Sequence, residues 1–468
     1  YAYKIKKPVD LGFLDFSTLA KRRHYCHEEL RLNRRTAPQI YLDVVGFTGR
    51  PEAPVVGGSG APFEYAVKMV QFPQDRLLDR LAGRGELTPG HVDRLAATVA
   101  DFHERVAIAS VTRPYGTPEA VRRPVRENFL GMRDHLTDPA LNRRLDALEA
   151  WSEQQHEALR PLFEARRRQG FVRECHGDLH LGNIADLSGR ITPFDCIEFN
   201  DRLRWIDVMS EVAFTSMDLE DRDRPELAAR FLDAYLSRTG DYDGLRLAVY
   251  YKSYRALVRA KIAAIRLDQP DLDAEQRRRT QDLLEGYLAL AERYTRPPQP
   301  ALLLNHGPSG AGKTTLSQPL LETVGAVRIR SDVERKRLFG LGPGETSGSA
   351  ADAGIYTREA SDRTYHRLAT LAEAVLRAGF PVIVDATFLE RQRRRPFAEL
   401  AERLGVPFAI LDYRADPETL RRRVQARQAA GRDVSEADTG ILERQLEKME
   451  PFSDAETEWV IELDTTVP

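Results

Sequence analysis

The pattern of apolar and polar positions predicts a small strand-rich region, then a long helical region, then a region in which strands and helices alternate. Near the start, side chains alternate with the period of strands on either side of a segment with helical periodicity. These predicted elements are the strand Tyr3–Lys6, the helix Leu19–Arg35, and the strands Tyr41–Phe47 and Phe63–Val70. From Leu87 to about residue 296 the helical period dominates. We therefore expect a small sheet followed by a large helical lobe.

A proline-rich segment divides the chain. Residues 297–300 (Pro-Pro-Gln-Pro) form a stiff linker that cannot continue the preceding helix. Beyond it, short apolar strands beginning with Ala301–Leu304 alternate with helices, which predicts a parallel sheet. The predicted domains are residues 1–296, with a small lobe over about 1–75 and a helical lobe over about 76–296, and residues 301–468.

Charge and cysteine content narrow the class of protein. The 69 basic and 71 acidic side chains nearly cancel, which argues against a protein whose main task is non-specific nucleic-acid binding. The three cysteines form no C-x-x-C pair, as is typical of a reducing compartment. No apolar run approaches the ~20 residues of a membrane helix. We therefore expect a cytoplasmic protein without a membrane partner, and nothing in the pattern indicates a stable protein partner.

The strongest chemical signal is G-x-x-x-x-G-K-T, which directly follows an apolar strand and opens a helix. Its glycines let backbone amides wrap phosphate oxygens, its lysine supplies a charge to the outer phosphates, and the first threonine can ligate Mg²⁺. The predicted nucleotide-binding residues of this loop are Gly307, Ser309, Gly310, Gly312, Lys313, Thr314 and Thr315, with Thr314 also a predicted metal ligand.

Two aspartates follow later strands of the same predicted sheet. Ligands of open parallel sheets lie beyond the carboxyl ends of the strands, so Asp332 and Asp385 should face one crevice. Asp385 could organise Mg²⁺. Asp332 could accept a proton from a substrate hydroxyl while Arg335 steadies an acidic group on that substrate. Alternatively, Asp332 caps the helix that it precedes, and the two roles are compatible.

Arginines follow the predicted strand Phe408–Tyr413 in a helix and loop, at positions 421, 422, 423, 427 and 432. Arginines that reach over the γ-phosphate neutralise charge in the transition state of phosphoryl transfer, and we assign nucleotide binding to Arg423 and Arg427. A solvated helix face is the alternative explanation for some of them.

This succession of G-x-x-x-x-G-K-T, D-x-x-R from Asp332, D-A-T from Asp385 and arginines resembles the small P-loop kinases, including gluconate kinase, polynucleotide 5′-kinase and the zeta toxins. The D-x-x-R step looks most like polynucleotide kinase. The resemblance covers most of residues 301–468. It implies an α/β domain that binds ATP, or GTP, with Mg²⁺ and phosphorylates a hydroxyl group.

A second motif lies in the helical lobe. Residues 176–183 read HGDLHLGN, and Pro-Phe-Asp follows at residues 193–195. A carboxylate, an amide and a second carboxylate at this spacing provide a base and two metal anchors for phosphoryl transfer. The motif resembles H-G-D-x-x-x-x-N of the aminoglycoside phosphotransferase family, whose fold is kinase-like. The resemblance implies that Asp178 is the catalytic base and that Asn183 and Asp195 bind metal.

The same resemblance assigns supporting roles. It implies that His176 braces the catalytic loop, that Asp207 supports it from downstream, and that His103 ends a characteristic helix. Kinase-like folds also need a strand lysine held by a helix glutamate.

We choose Lys6 with Glu28 for this pair and keep Lys4, on the same strand face, as the alternative. Lys68, which follows the GGSG segment, is rejected because no suitable acid-bearing helix follows it before the helical lobe. On this interpretation the phosphate-covering hairpin lies upstream of Tyr1, so the small lobe looks truncated.

The sequence therefore predicts an α+β kinase-like bilobal domain followed by an α/β P-loop kinase domain. We expect a bifunctional phosphotransferase that uses ATP, possibly GTP, and Mg²⁺. Its acceptor would be a small molecule or a nucleic-acid 5′-end hydroxyl. The alternative is a polynucleotide 5′-hydroxyl kinase in which the kinase-like domain regulates or binds substrate.

Overall fold

A computed structural model describes the chain except residues 11, 13, 297–298, 343, 350–353, 431–437 and 467–468. The chain forms two compact units. The first comprises Tyr1–Arg224 and Leu247–Arg296, and the second comprises Pro225–Arg246 and Pro297–Pro468.

The first unit begins with an antiparallel sheet in the order β1-β4-β2-β3. Its elements are β1 (Ala2–Ile5), α1 (Leu19–Asn33), β2 (Tyr41–Arg50), β3 (Ala53–Val56) and β4 (Glu64–Met69). Helix α1 packs on this sheet through Cys26 and Leu30, which share a core with Tyr41 and Val67. Lys4 stands opposite Val67, so β1 borders β4 and presents its lysines on the same side as α1.

Helices dominate the next 225 or so residues. In chain order the elements are α2 (Leu78–Gly83), α3 (Pro89–Arg105), α4 (Pro118–Arg133), α5 (Pro139–Arg168), β5 (Val172–Glu174), β6 (Ile184–Leu187), β7 (Arg190–Pro193), α6 (Asp201–Arg204), β8 (Trp205–Asp207), α7 (Val208–Asp221), α8 (Pro225–Thr239), α9 (Leu245–Leu267) and α10 (Ala274–Tyr294). Thr88 caps α3 by accepting the amide of His91, and a proline at the first turn fits the same start. Of the helices in the described ranges, none is both long and apolar enough to span a membrane.

The second unit contains an all-parallel, five-stranded sheet in the order β10-β11-β9-β12-β13, which confirms the predicted α/β architecture. Its elements are β9 (Leu302–His306), α11 (Lys313–Val324), β10 (Val327–Arg330), α12 (Ser331–Leu338), α13 (Arg358–Arg377), β11 (Val382–Asp385), α14 (Arg391–Leu404), β12 (Phe408–Arg414), α15 (Pro417–Ala430), α16 (Thr439–Glu447), α17 (Asp454–Thr457) and β13 (Val460–Asp464). Because the strands are parallel, the residues after β9, β10 and β11 share one edge.

Helix α8 belongs to this second unit, although the sequence pattern assigns residues 225–246 to the first domain. Asp233 on α8 is buried and accepts the backbone amide of Arg328 at 2.7 Å. Arg230 pairs with Glu322 of α11, also at 2.7 Å. The periodicity of α8 indicates that one face of the helix is buried, but it does not say which compact unit packs against that face. The boundary between the units therefore differs from the predicted domain boundary at residues 225–246. Of the predicted linker, residues 297 and 298 lie outside the described residues.

Candidate active sites

The HGDLHLGN segment folds as a loop between β5 and β6 that holds Asp178 and Asn183 together. The Asn183 side-chain amide donates to the carboxylate and to the carbonyl oxygen of Asp178, both at 3.0 Å. Burial raises the pKa of Asp178, but the imidazole of His180, 3.5 Å from its carboxylate, outweighs this and the pKa falls to about 2. The carboxylate is therefore ionised at neutral pH, as a proton acceptor must be.

The loop is braced from α7 rather than by Asp207. Glu211 is fully buried and accepts the backbone amides of His176 and Gly177 at 2.6 and 3.0 Å, while His103 contacts its other oxygen at 3.1 Å. Asp207 instead pairs with the buried Arg166 and caps α7. The expectation for Asp207 is thus corrected: the residue one turn further along the helix takes the supporting position.

Arg255 on α9 also supports this loop, and the sequence pattern gave no reason to single it out from the other basic residues of its helix. Its guanidinium donates to the Gly177 carbonyl at 3.0 Å and to the backbone and side chain of Ser210. It is buried. Only tertiary packing distinguishes it from solvated arginines such as Arg266.

Asp195 lies next to the catalytic loop because the two loops are hydrogen-bonded to each other. The Phe194 amide donates to the Asn183 carbonyl at 2.9 Å, and His176 contacts the Phe194 carbonyl at 2.8 Å. Asp195 itself has φ of +63°, a left-handed conformation uncommon for a residue with a side chain. These bonds hold the backbones of Asn183 and Asp195 near each other, and their side-chain oxygens are donors that suit a hard divalent cation.

Lys4, the alternative lysine, contacts Asp195. Its ammonium contacts the carboxylates of Glu29, at 2.9 Å, and Asp195, and the Lys4 and Asp195 side chains are 40% and 41% exposed. Burial lowers the pKa of Lys4, but these two carboxylates outweigh burial and hold the pKa well above its usual value. Lys4 therefore remains a cation within reach of a ligand beside Asp195.

The structure corrects both members of the predicted Lys6–Glu28 pair. The Lys6 side chain is only 3% exposed and lies between Glu29 and Glu198, so it is enclosed by protein. Glu28 pairs with Arg31 on the outer side of α1, and its neighbour Glu29 takes the position against the lysines. Adjacent helix residues point about 100° apart, so one position along α1 decides which of the two glutamates meets β1.

In the second unit, the G-x-x-x-x-G-K-T segment forms the turn between β9 and α11. Gly307 has φ of +133°, and a Cβ there would lie 2.7 Å from the Tyr413 carbonyl oxygen. Gly310 has φ of +84°, and a Cβ there would lie 2.8 Å from the Leu420 carbonyl oxygen. Only glycine fits both positions.

Lys313 and Thr314 begin α11 beside the end of β11. The Lys313 ammonium donates to the carbonyls of Gly307 and Pro308 at 2.7 and 2.8 Å, and burial lowers its pKa to about 8. The Thr314 hydroxyl donates to Asp385 at 2.7 Å, and Asn305 donates to the other oxygen of that carboxylate. A hydroxyl paired with a carboxylate in this way supplies the oxygen donors that Mg²⁺ prefers.

A cavity of about 620 Å³ lies over this loop. It is lined by the predicted residues Ser309, Gly310, Gly312, Lys313, Thr314, Thr315, Asp332, Asp385, Arg423 and Arg427, among others. Gln445 on α16, which the sequence pattern did not indicate, accepts the Ser309 amide at 2.7 Å. This amide is one of the donors expected to bind phosphate, so Gln445 occupies an anion position of the loop.

The arginine-rich segment contains both kinds of arginine considered above, some that line the cavity and some that lie on a solvated helix face. Arg423 donates to the Thr465 carbonyl at 2.6 Å and lines the cavity with Arg427. Arg421 instead pairs with Glu443 on the surface. Arg432 lies outside the described residues.

Asp332 and Arg335 lie one turn apart on α12 but border different cavities. Asp332 lines the cavity over the phosphate loop and pairs with Arg330 at 2.9 Å. The structure does not support the helix-capping alternative for Asp332, because α12 begins at Ser331 with Arg330 as its N-cap and has no side-chain capping bond. Of the described backbone amides, the Asp332 carboxylate accepts only that of the next residue, Val333, at 2.9 Å. Arg335 donates to the Ile355 carbonyl at 2.8 Å and lines a neighbouring cavity.

Two family models match the chain, one for each motif. Residues 66–248 match the model described as "Phosphotransferase enzyme family", and residues 302–452 match the model described as "AAA domain". Together with the geometry above, they define the class of the protein: a phosphotransferase that combines an aminoglycoside phosphotransferase-like domain with a nucleotide-binding P-loop kinase domain.

A curated relative is similar to this protein along nearly the whole chain. The uncharacterized protein Rv2004c of Mycobacterium tuberculosis (strain H37Rv) is 30% identical over 438 residues, which is 93% of this chain and 84% of the relative. The chain belongs to the family of this mycobacterial protein.

Solved structures are similar to parts of the chain. A gluconokinase from Sinorhizobium meliloti 1021 is 19% identical, with 36% of this chain and 86% of that one covered and a TM-score of 0.26. The amicoumacin kinase hAmiN, solved with AMP-PNP and Ca²⁺, is 12% identical, with 57% and 77% covered and a TM-score of 0.37.

Proposed function

We propose that the protein is a bifunctional kinase in which each unit transfers the γ-phosphoryl group of ATP, or GTP, to a hydroxyl acceptor with Mg²⁺. The observation that carries this proposal is the presence of two separate sites, each with an aspartate suited to be a base, a lysine for phosphate oxygens and oxygen donors for metal. In the first unit these residues are Asp178, Lys4, Asn183 and Asp195, and in the second they are Asp332, Lys313, Thr314 and Asp385.

In the first unit, Asp178 accepts the proton of the acceptor hydroxyl as its oxygen bonds to the γ-phosphorus. The low pKa of Asp178 keeps it ready to orient that hydroxyl, and Asn183 fixes the carboxylate by its hydrogen bond. Lys4, held by Glu29, contacts the phosphates of the nucleotide. Mg²⁺ at Asn183 and Asp195 would neutralise phosphate charge when bound.

In the second unit, the backbone amides of the loop and the Lys313 ammonium bind the β- and γ-phosphates, and Thr314 and Asp385 would hold Mg²⁺, which would neutralise phosphate charge. Gln445 must release the Ser309 amide when a phosphate takes its place. Asp332 accepts the proton of the acceptor, and Arg423 and Arg427 border the cavity where transition-state charge would spread.

The test is a labelled-ATP transfer assay on the full chain with a panel of hydroxyl acceptors, including sugars, aminoglycosides and 5′-hydroxyl oligonucleotides. Asp178→Asn should lower one set of products by about 10²–10⁴-fold and leave the others unchanged. Lys313→Ala should do the reverse, because it removes the charge from the other phosphate site.

One result would contradict this proposal. If Asp178→Asn left every product unchanged while Lys313→Ala abolished all of them, the first unit would be a regulatory or substrate-binding module. Transfer to 5′-hydroxyl oligonucleotides alone would then identify the alternative function, polynucleotide 5′-hydroxyl kinase.

A further inference from the structure

A second cavity in the P-loop unit lies beside the cavity over the phosphate loop. Its volume is about 200 Å³, and Thr387, which follows β11, lines both cavities. Gln445 also lines it while holding the Ser309 amide of the phosphate loop. An acceptor molecule bound in the second cavity would therefore lie next to a nucleotide bound in the cavity over the phosphate loop.

The charged residues that line this cavity are mostly cations. Arg335 stacks over Tyr356 and Arg393 stacks over Tyr365, with guanidinium-to-ring distances of 5.3 and 4.8 Å. Burial lowers the pKa of Arg335, and the neighbouring Arg393 lowers it further, although the tyrosines oppose this. Both guanidinium groups line this one cavity, and although Arg393 also contacts Asp362, an anion bound in the cavity would offset the repulsion between the two cations.

Two more cations reach the cavity from α16 and its end. Arg444 and Lys448 are four positions apart and so share a helix face. Within the described part of the chain, neither has an ion-pair partner. Glu390 is the one acid among the described lining residues, and Asp362, which contacts Arg393, is an exposed carboxylate outside the lining. We call Arg335, Arg393, Arg444 and Lys448 the basic pocket.

We propose that the basic pocket binds the anionic group, a carboxylate or a phosphate, of a small hydroxyl-bearing acceptor that the P-loop unit phosphorylates. This inference rests on the proposed function of that unit and names its substrate class. Guanidinium groups bind carboxylate and phosphate through paired, charge-assisted hydrogen bonds. The volume is below the ~300–1,000 Å³ typical of sites for drug-sized ligands, which favours a small molecule over an oligonucleotide.

The transfer step follows from this placement. With its anion held by the basic pocket, the acceptor points its hydroxyl toward Asp332, one helical turn from Arg335 on α12. The hydroxyl oxygen forms a bond to the γ-phosphorus, and the bond from that phosphorus to the β–γ bridging oxygen breaks. The nucleoside diphosphate leaves with the electron pair, and the hydroxyl proton passes to the Asp332 carboxylate.

The test measures binding of matched acceptors to the full chain by calorimetry, with AMP-PNP and Mg²⁺ present. The probes are pairs with one carbon skeleton: an aldonic acid and its alditol, and a sugar phosphate and its free sugar. We expect the charged member of at least one pair to bind about tenfold or more tightly than its neutral partner. Arg444→Gln and Lys448→Gln should each weaken that binding several-fold without changing the affinity for AMP-PNP.

Arg403→Gln is the matched control, because Arg403 is an exposed arginine that pairs with Glu373 away from the cavity. It should leave binding of the anionic probe unchanged. Equal affinity for charged and neutral members, or no binding of any anionic probe, would overturn the inference. So would tight binding of a 5′-hydroxyl oligonucleotide alone. A different result would contradict the proposed function itself: AMP-PNP would not bind to the P-loop site. Comparing AMP-PNP binding by the wild type and by Lys313→Ala detects that result.

Discussion

Two lysines on one face of β1 have different surroundings. Lys4 is partly exposed beside Asp195, whereas Lys6 is enclosed between the buried carboxylates of Glu29 and Glu198. A partly exposed cation can exchange protein partners for phosphate oxygens. An enclosed cation instead balances the charge of buried carboxylates, and removing the cation leaves their charge uncompensated.

We therefore predict that Lys4→Met lowers turnover by the first unit roughly 10²-fold with little change in melting temperature. Lys6→Met should instead destabilise the fold by about 3–5 kcal/mol, because it leaves buried carboxylates unpaired. Steady-state kinetics and thermal unfolding of both variants make the comparison. If Lys6→Met reduced nucleotide affinity at an unchanged melting temperature, the assignment of the two lysines would have to be reversed.

The pKa of Lys313 makes nucleotide binding by the P-loop unit depend on pH. Burial lowers the pKa to about 8 in the protein without nucleotide, and a triphosphate favours the protonated ammonium. Above pH 8 binding must therefore take up a proton, so the dissociation constant should rise about tenfold per pH unit until the pKa of the bound state is reached. Below pH 8 it should be nearly constant.

A fluorescent nucleotide titrated between pH 6 and pH 10 measures this dependence, with Lys4→Met as background to weaken the other site. Lys313→Arg keeps its charge over this range and provides the control, which should give a flat profile. A flat profile for the lysine form as well would show that its charge does not contribute.

At the scale of elements, α8 connects a segment of the kinase-like sequence to the phosphate loop of the P-loop unit. Asp233 accepts the Arg328 amide, and Arg328 in turn donates to the Thr314 carbonyl at 2.8 Å, at the start of α11. Burial raises the pKa of Asp233, although the guanidinium of Arg328, at 3.7 Å, opposes this. Asp233 is thus a positioning residue for the nucleotide site.

Asp233→Ala should lower the stability of the second unit by about 3 kcal/mol and weaken nucleotide binding there, since the Arg328 amide and guanidinium lose a buried acceptor. Asp233→Asn keeps one acceptor oxygen and should have a smaller effect on both. Thermal unfolding and nucleotide titration of the two variants test this. Unchanged nucleotide affinity in the alanine variant would show that α8 only covers the sheet.

The periodicity of the sequence predicted most of these elements, because strands and helices that cover a core repeat their apolar positions. It missed β3, which lies in the Pro- and Gly-rich loop before GGSG and has four exposed residues with no buried face to produce a pattern. It could not assign α8 to the second unit, because amphipathicity shows that a face is covered but not by what.

The residues of the candidate sites also fall into two groups, those that the sequence pattern could predict and those that it could not. Asp178 and the Lys313 loop follow from local spacing, because their chemistry needs neighbours in sequence. Glu29 and Glu211 act through contacts 23 and 34–35 residues away along the chain, with Lys6 and with the loop amides. No short motif encodes such pairs, and so the sequence pattern favours Glu28 and Asp207 instead.

For the whole molecule, we propose that a single chain carries two magnesium-dependent nucleotide sites that act on different acceptors. The two sites share no residue, and each is built within its own unit. Loss of one should therefore leave the other able to bind nucleotide.

The most direct measurement is the number of AMP-PNP molecules bound per full-length chain, by equilibrium binding with Mg²⁺, in four proteins. These are the wild type, Asp195→Ala, Lys313→Ala and the double variant. We expect two molecules to bind to the wild type, one to each single variant and none to the double variant. One molecule bound to the wild type, lost completely in either single variant, would contradict this proposal.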